Sequence, residues 1–537
     1  ERRVGFRALD WPEDVESDGL ALRVNGASVF ARGALWTPVE DHELRPTLER
    51  VSSAGMNMLR LPGIGVYETD AFHDLCDELG ILVWQDFMFA NMDYPVADEG
   101  FRAAVEAEAR QLLASVAGRP SLAVLCGNSE VEQQVAMLGL DPEMGRGELF
   151  GELLPSLVRE SGAGVPYVPS APCGGDLPFR PGSGVANYFG VGAYRRPLDD
   201  ARRAGVRFAS ECLAFANVPD HDPAPKEGVP RDVGASWDFE DVRDHYLELF
   251  FGTSADELRS FDQRRYLELS RAVSGEVMAE VLGEWRRAAS PCAGALILWL
   301  RDIQTGSGWG VLDHTGAPKV AYHHLRRALA PVAVWTVDEG LSGVAVHVAN
   351  DAAAPLRAQL RVALYRDGEH RVEEAAETVE LEPHGSLETN VERMLGHFVD
   401  ASWAYRFGPP QQDVIVATLE PEGGGEPLSQ AFRFPAGRPA AAEPPERLAL
   451  EAVARARGDG ALEVSVRSQR LAYGVRIHMT GCESDDDAFS IEPGRERTIL
   501  LRPAGPPPRD PSGTVTALNM TGRVRIETQD PGGEPAR

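Results

Sequence analysis

The sequence predicts an α/β barrel followed by two all-β sandwich domains. In roughly the first 300 residues, short apolar runs of strand length alternate with segments of helical spacing, which is typical of a (β/α)8 barrel. After Pro331 the pattern changes to short alternating runs separated by turns rich in Gly, Asp and Pro, as in a β-sandwich. A stretch with linker composition, Pro435–Pro445, divides this all-β region into two parts.

The predicted barrel has eight strands, and its first strand belongs to a hairpin over residues 20–36 with a two-residue turn at Asn25-Gly26. Apolar runs place the strands at 28–36, 56–60, 81–87, 122–126, 167–170, 185–189, 206–211 and 295–299. Helical spacing predicts helices at 41–55, 67–80, 96–117, 262–289 and 318–330. In the all-β region, alternation predicts strands that include 342–348, 358–365, 414–419, 462–466, 473–479 and 497–501.

Two of the predicted barrel strands end in a carboxylate. Ser121–Glu130 (SLAVLCGNSE) begins as an apolar run without alternation, as expected of a strand buried on both faces, and turns polar at Gly127. Val206–Glu211 is a second short strand that also ends in Glu. Because barrel chemistry lies at the C-terminal ends of the strands, we expect Glu130 and Glu211 to face each other across the barrel mouth. Two facing carboxylates are what glycoside hydrolysis requires.

A long segment without periodicity, residues 213–238, follows the seventh predicted strand. It is rich in Pro, Asp and Gly, and a loop of that length inside a compact domain is usually functional or disordered. Its place in the chain predicts that it lies over the barrel mouth.

The composition disfavours several classes of partner. The net charge of −29 argues against nucleic acid, which requires a basic face, and no apolar run reaches the length of a membrane span. The six cysteines have neither CxxC nor CxxH spacing, so no metal site and no disulfide framework is predicted. Of the 53 basic residues, only Lys226 and Lys319 are lysine.

The start of the chain predicts a first domain that is truncated. The first residue is Glu, no signal-peptide h-region is visible, and Val4–Leu9 has the pattern of the last strand of an earlier domain. We therefore expect the end of an N-terminal β domain with a lead-in hairpin at 1–27, and a cytoplasmic protein. The barrel is expected at 28–332, the sandwich domains at 333–438 and 439–537, and a disordered tail from about residue 530.

Several stretches resemble the β-mannosidase branch of glycoside hydrolase family 2. Cys126–Glu130 is similar to the acid/base motif of the family, and Arg207–Glu211 is similar to its nucleophile motif. The other matching stretches are Arg32–Pro38, Ala54–Arg60, Val66–Glu68, Phe72–Phe89, Tyr473–Val475, Ser484–Phe489 and Glu492–Gly494. The resemblance implies a TIM barrel followed by two immunoglobulin-like sandwich domains, the second of the mannosidase type.

The resemblance also implies a mechanism and its two catalytic residues. Glu130 would be the general acid/base, and Glu211 would be the ionised nucleophile, held by Arg60 and by the Tyr188 hydroxyl. To protonate a leaving oxygen near neutral pH, Glu130 would need a partly apolar pocket and a neighbouring negative charge. This chemistry uses no cofactor and no metal.

Seven further residues are predicted to bind the substrate: Arg60, Trp84, Asp86, Asn128, Ser129, Tyr188 and Trp299. Trp84 and Trp299 would form the floor of the sugar subsite, because apolar sugar faces stack on aromatic rings; the alternative for both is core packing. The alternative for Arg60 and Asp86 is an ion pair at the barrel rim. Trp309, in a Gly-rich loop, is a weaker candidate for the site.

Three positions depart from the family pattern, and they concern specificity. Ser129 stands where an Asn normally precedes the acid/base Glu and contacts the 2-position of the sugar; exo-β-glucosaminidases also resemble this chain in having Ser there. Leu61–Gly65 replaces a Trp and a Gly run that are usual in β-mannosidases, and Asn187 replaces a usual His.

The expected function is a retaining, exo-acting β-glycoside hydrolase that releases terminal β-mannose from a β-linked oligosaccharide or glycoconjugate. One alternative is a family 2 exo-β-glycosidase of other specificity, such as an exo-β-glucosaminidase or a β-galactosidase- or β-glucuronidase-like enzyme. Another is a catalytically silent carbohydrate-binding relative. No nucleic acid and no membrane partner is expected, and the sequence leaves the oligomeric state open.

Overall fold

The structure is a computed structural model that describes residues 4–91, 93–504 and 512–529. The chain divides into two compact units: residues 1–243 with 280–322, and residues 244–279 with 323–537. The tail predicted from about residue 530, like residues 1–3 of the predicted first domain, lies outside the described residues.

The first unit begins with a small antiparallel sheet. Its strands are β1 (Leu9–Asp10), β2 (Leu22–Val24) and β3 (Ala27–Val29). The turn between β2 and β3 is the predicted Asn25-Gly26 pair, and both residues have positive φ, 53° and 81°, as a two-residue hairpin turn requires. The return strand predicted over 28–36 is two strands instead, because the chain leaves the hairpin after Val29 and enters the barrel at Ala31.

The barrel strands pair in parallel throughout. They are β4 (Ala31–Leu35), β5 (Met58–Leu61), β6 (Leu82–Asp86), β7 (Leu122–Cys126), β8 (Tyr167–Val168), β9 (Ala186–Tyr188), β10 (Ala209–Cys212) and β11 (Gly294–Ile297). Their order in the sheet is β8-β7-β6-β5-β4-β11-β10-β9. The first barrel strand therefore lies beside the eighth, which is what a barrel requires, and the predicted (β/α)8 class is confirmed.

All five helices that the sequence predicts are present, each a few residues shorter than predicted. The helices up to the last barrel helix are α1 (Val15–Asp18), α2 (Asp41–Ser53), α3 (Asp70–Leu79), α4 (Glu99–Val116), α5 (Val131–Met137), α6 (Glu143–Glu148), α7 (Leu154–Ser161, preceded by a π-helical turn at Leu149–Leu153), α8 (Asp200–Arg203), α9 (Phe239–Phe251), α10 (Ala255–Phe261), α11 (Gln263–Arg286) and α12 (Val320–Ala328). The structure assigns no helix or strand to residues 213–238, in agreement with the predicted long loop.

The second unit contains two β-sandwiches, as predicted. The strands of the first are β12 (Val332–Asp338), β13 (Val344–Asn350), β14 (Leu356–Arg366), β15 (His370–Leu381), β16 (Gly385–Asn390), β17 (Val414–Pro421) and β18 (Ser429–Arg433), with α13 (Val391–Leu395) after β16. They form the sheets β12-β13-β16 and β15-β14-β17-β18. Buried side chains of both sheets, such as Val346 and Val362, share one apolar core.

The second sandwich follows a short helix, α14 (Pro445–Leu448). Its strands are β19 (Glu451–Ala456), β20 (Leu462–Arg467), β21 (Ala472–Met479), β22 (Cys482–Ser484), β23 (Phe489–Ile491), β24 (Glu496–Pro503), β25 (Gly513–Thr516), β26 (Val524–Arg525) and β27 (Glu527–Gln529). They form the sheets β22-β24-β20-β19-β27 and β23-β21-β25-β26 around a second apolar core.

A buried ion pair joins the two sandwiches. Arg361 of β14 donates to both carboxylate oxygens of Glu492, at 2.8 and 2.6 Å, and the hydroxyl of Tyr365 donates to the same carboxylate at 2.6 Å. Arg361 also contacts Glu420 and Glu374 of its own sandwich, at 3.0 and 3.3 Å. The side chain of Glu492 is 1% exposed, so this pair is shielded from solvent.

Across the described ranges, no helix is both long enough and apolar enough to cross a membrane.

The barrel contains one very close approach between strands. An added Cβ on Gly33, in β4, would lie 1.7 Å from the carbonyl oxygen of Met58 in β5. Only glycine fits there without separating the two strands.

We expect Gly33→Ala to lower the free energy of unfolding by about 1–3 kcal/mol, since an overpacked methyl group must push β4 from β5. Gly118→Ala is the control, because an added Cβ at Gly118 has no atom within 4 Å. Urea unfolding followed by tryptophan fluorescence measures both. Equal unfolding midpoints for the two variants would show that the approach at Gly33 is not constrained.

Candidate active site

The two predicted catalytic glutamates lie at the same end of the barrel. Glu211 is the third residue of β10, and Glu130 follows β7 and precedes α5. Both positions are at C-terminal ends of parallel strands, so the structure brings both side chains to the barrel mouth. They are close enough for the charge of Glu130 to raise the pKa of Glu211.

The turn that carries Glu130 is held by the side chain of Asn128. Asn128 accepts from the Ser170 hydroxyl at 2.7 Å and from the Val131 N–H at 3.0 Å, and it donates to the Pro169 carbonyl at 3.0 Å. Glu130 has a φ of 68°, a conformation that is uncommon for residues other than glycine. Asn128 is fully buried and positions the turn. That it also binds substrate stays a prediction.

Arg60 connects the two sides of the mouth. Its guanidinium donates to Glu211 at 3.0 Å, to Asp86 at 2.8 Å and to the Ser129 hydroxyl at 3.3 Å. Burial acts to lower the pKa of Arg60, but the carboxylates of Asp86 and Glu211 outweigh it and raise that pKa. Arg60 is therefore a charged group in the interior of the barrel.

Asp86 and Trp84 hold the Arg60 guanidinium in place. The Asp86 carboxylate accepts from the indole N–H of Trp84 at 2.7 Å and from the backbone N–H of Gly63 at 3.0 Å, in addition to Arg60. Arg60, Asp86 and Trp84 have 0% exposed surface. All three side chains are buried, and Arg60 contacts Glu211 and Ser129 directly. That the three residues bind the sugar stays a prediction.

The surroundings of Glu211 act on its pKa in opposite directions. Burial is the largest influence, and together with the charges of Glu130 and Asp86 it raises the pKa of Glu211 to about 8, against the lowering effect of Arg60. That Glu211 acts as the ionised nucleophile stays a prediction. One guanidinium among several carboxylates does not fully offset the cost of burying this charge.

Glu130 has a different environment. It is partly exposed, and its carboxylate accepts from the side-chain amides of Asn187 at 2.7 Å and Gln133 at 3.1 Å. The other end of the Asn187 amide accepts from the Ser210 hydroxyl at 2.9 Å, next to Glu211. Asn187 is one of the positions that the sequence links to specificity, whereas Gln133 is not among the predicted site residues.

Tyr188 lies on the opposite face of β9 from Asn187. Its ring packs against Trp285 with a centroid distance of 5.3 Å, and its hydroxyl donates to Asp200 at 2.9 Å. The same hydroxyl accepts from the backbone N–H of Val191 at 3.2 Å. The alternation of side chains along β9 places Tyr188 on the face away from Asn187. That its hydroxyl holds the nucleophile stays a prediction.

Ser129 and Trp299 remain as predicted substrate contacts with accessible surface. Ser129 is 5% exposed between Arg60 and Glu130, and Trp299 follows β11 and is partly exposed. Trp309 is also partly exposed, and its ring packs edge-on against Phe239 at 5.1 Å. Two carboxylates, one hydroxyl and one indole, all at or just after the C-terminal ends of barrel strands, are groups suited to a small polyhydroxylated ligand.

Comparisons with known proteins give relatives by sequence, although no family model matches the chain. It is similar to β-mannosidase B of Aspergillus niger, with 27% identity over 453 residues that cover 74% of this chain and 53% of the relative. It is also similar to β-mannosidase of Capra hircus, with 29% identity over 376 residues that cover 62% of this chain and 42% of the relative. The chain spans about half the length of the curated relatives it matches.

Two solved structures share the fold. A β-D-mannosidase from Dictyoglomus thermophilum superimposes with a TM-score of 0.77 and 23% identity, covering 98% of this chain and 64% of that chain. An exo-chitosanase from Amycolatopsis orientalis superimposes with a TM-score of 0.69 and 16% identity, covering 98% and 66%. The relatives and the fold together confirm the resemblance to β-mannosidases of glycoside hydrolase family 2.

The raised pKa of Glu211 predicts a pH dependence of stability. Between its ordinary pKa of 4.5 and the folded value of about 8, the folded state holds a proton that the unfolded state has lost. The contribution of Glu211 to the free energy of unfolding is therefore fully present below pH 4.5 and is lost as the pH rises to about 8. Each pKa unit corresponds to about 1.4 kcal/mol, so the free energy of unfolding should fall by a few kcal/mol over this pH range.

Urea-unfolding midpoints from pH 4.5 to 8.5 measure this effect. Glu211→Gln should flatten the decline in stability with rising pH, since glutamine does not titrate. Glu49→Gln is the control, because the side chain of Glu49 is 54% exposed in α2 and its variant should keep the slope of the parent. If Glu211→Gln also keeps that slope, Glu211 is ionised throughout this range.

Proposed function

We propose that this β-mannosidase-like chain carries the catalytic barrel of a retaining, exo-acting β-glycosidase that releases terminal β-mannosyl residues. One observation supports the proposal above the others: Glu211 is ion-paired with a buried arginine, whereas Glu130, at the same mouth, accepts hydrogen bonds from two neutral side-chain amides. Two carboxyl groups in such different environments are suited to two different roles.

Glu211 is suited to attack on the sugar. In its ionised form its carboxylate oxygen bonds to the anomeric carbon while the bond from that carbon to the leaving oxygen breaks, which gives a covalent glycosyl-enzyme. Arg60, 3.0 Å away, stabilises the carboxylate before attack and again when the intermediate is released.

Glu130 is suited to move the protons. Its carboxyl group gives a proton to the leaving oxygen in the first step, and it takes a proton from the attacking water in the second, so it returns to its starting state. The amides of Asn187 and Gln133 orient the carboxyl group without adding a positive charge. Because Glu130 is partly exposed, water can reach it after the leaving group departs.

Ser129 favours a second candidate for the sugar. It stands beside the acid/base residue where the family pattern has an amide that contacts the 2-position, and its hydroxyl already accepts from Arg60. A β-glucosaminide differs from a β-mannoside at that position. An exo-β-glucosaminidase is therefore the alternative that a substrate panel must exclude.

The two glutamates should respond differently to replacement. We expect Glu211→Gly to abolish hydrolysis of an aryl β-mannoside, and azide should restore turnover by forming the α-glycosyl azide, because azide then enters from the face that the carboxylate left. Glu130→Ala should keep activity on substrates with good leaving groups and form the β-glycosyl azide. Product configuration by NMR distinguishes the two outcomes.

Glu132→Ala is the control for these variants, because Glu132 lies two residues from Glu130 but is ion-paired with Arg146 at 3.1 Å. It should retain activity within a few-fold. An α-configured sugar as the first product of the unmodified protein would contradict the retaining mechanism. Absence of turnover on mannoside, glucoside, galactoside and glucosaminide would favour a carbohydrate-binding relative without catalysis.

Ser129→Asn should raise activity on one substrate of that panel, since the introduced amide can donate to the oxygen at the 2-position of the sugar. The expected gain is about tenfold, corresponding to one hydrogen bond of about 1.4 kcal/mol. The measurement is kcat/KM for each glycoside. If all four values stay within twofold of the parent, Ser129 does not determine specificity.

A further inference from the structure

A second buried ion pair lies beside the candidate site, and the proposed chemistry does not use it. The ammonium of Lys319, at the start of the last barrel helix, pairs with the carboxylate of Asp302. Their side chains are 1% and 6% exposed. Burying two opposite charges has a large desolvation cost, so a pair in this position needs further hydrogen bonds.

The Lys319 ammonium has those bonds. It donates to the backbone carbonyls of Asn217, at 2.9 Å, and Gly308, at 3.4 Å, as well as to Asp302. Asp302 in turn accepts from the backbone N–H of Gly310 at 2.7 Å. Three donors on one nitrogen thus meet three acceptors that come from two different loops.

The first of these loops continues from β10, the strand that carries Glu211. Asn217 lies six residues after Glu211, and residues 211–219 are all buried. The second loop follows Trp299 and carries Trp309. The loops also contact each other directly: Asn217 donates its backbone N–H to Gly308 at 2.9 Å and its side-chain amide to the Trp309 carbonyl at 2.8 Å.

The choice of lysine is informative in this chain. Only two of the 53 basic residues are lysine, and every other basic residue is arginine. An ammonium is a compact charge with three donors that point in different directions, whereas a guanidinium is a planar fork that matches a carboxylate. The acceptors around Lys319 are separate atoms on different segments, which fits the ammonium and not the fork.

We propose that Lys319 and Asp302 are positioning residues that hold the loop after Glu211 against the loop after Trp299, so that the distance between Glu211 and Trp299 stays fixed. We call this ion pair, with its backbone hydrogen bonds, the clamp. This inference rests on the proposed function for its effect on catalysis. The clamp itself is a property of the fold and can be measured without turnover.

Hydrogen exchange of the whole chain, followed by mass spectrometry, tests the clamp. Lys319→Met should speed amide exchange in the segments 212–218 and 302–312, since both lose their shared partner. Lys226→Met is the matched control: Lys226 is the other lysine, lies in the loop that continues from β10, and pairs with Asp238 and Glu240 while 50% exposed. It should leave both segments unchanged. Unchanged exchange in both segments of Lys319→Met would overturn the proposal.

Kinetics on an aryl β-mannoside test the consequence for the site. Lys319→Met should lower kcat by about tenfold or more, with a much smaller change in KM, because a displaced nucleophile affects the chemical step. Lys319→Arg should not restore kcat, whereas a role that needed only a positive charge would be restored. Faster exchange with an unchanged kcat, or restoration by arginine, would overturn the positioning role.

Two further outcomes are informative. If Lys319→Met does not fold, Asp302→Asn replaces it, because this variant keeps the shape of the pair and loses its negative charge; the same faster exchange is expected. If the unmodified protein turns over no glycoside, the proposed function fails, and the exchange measurement still decides whether the clamp exists.

Discussion

The buried guanidinium of Arg60 is the interaction on which the candidate site depends. It contacts two carboxylates, Asp86 and Glu211, and it has no exposed surface. A charge removed from water at this depth is tolerated only when opposite charges and hydrogen bonds surround it. The partners also outnumber it: one positive group faces two negative groups, with Glu130 a third nearby. Burial has the largest effect on the pKa of Glu211, and this excess of negative charge raises that pKa further.

The strength of this network follows from the strands that carry it. Arg60, Asp86 and Glu211 lie on β5, β6 and β10, where parallel pairing fixes the backbone on both sides. Glu130, by contrast, lies on a turn held by the Asn128 side chain. The nucleophile candidate is thus built into the sheet, and the acid/base candidate is held by hydrogen bonds that can adjust. A nucleophile such as Glu211 must stay in place, whereas an acid/base group such as Glu130 must accept and give protons, and the two environments fit these roles.

Much of this could be predicted from the sequence. Apolar runs such as Leu122–Cys126 marked the barrel strands because strands buried on both faces are mostly apolar. The glutamates were found because a carboxylate that ends such a run breaks the apolar pattern. The side of a strand was harder to predict: β9 has only three residues, so the period of two could not show that Asn187 and not Tyr188 points inward. The extent of burial was also hard to predict, since Trp84 and Asp86 are residue types common in sugar-binding sites and yet both are fully buried.

The ion pair between the sandwiches has a consequence for how the protein is made. Arg361 leaves the ribosome 131 residues before Glu492, its bidentate partner. At a synthesis rate of about 5–20 residues per second, this gap lasts roughly 7–26 seconds. Glu374 and Glu420, whose strands flank Arg361 in the same sheet, are synthesised 13 and 59 residues after it, so both are available to pair with the guanidinium before Glu492 is made. The first sandwich thus supplies carboxylates for Arg361 that do not depend on the second sandwich.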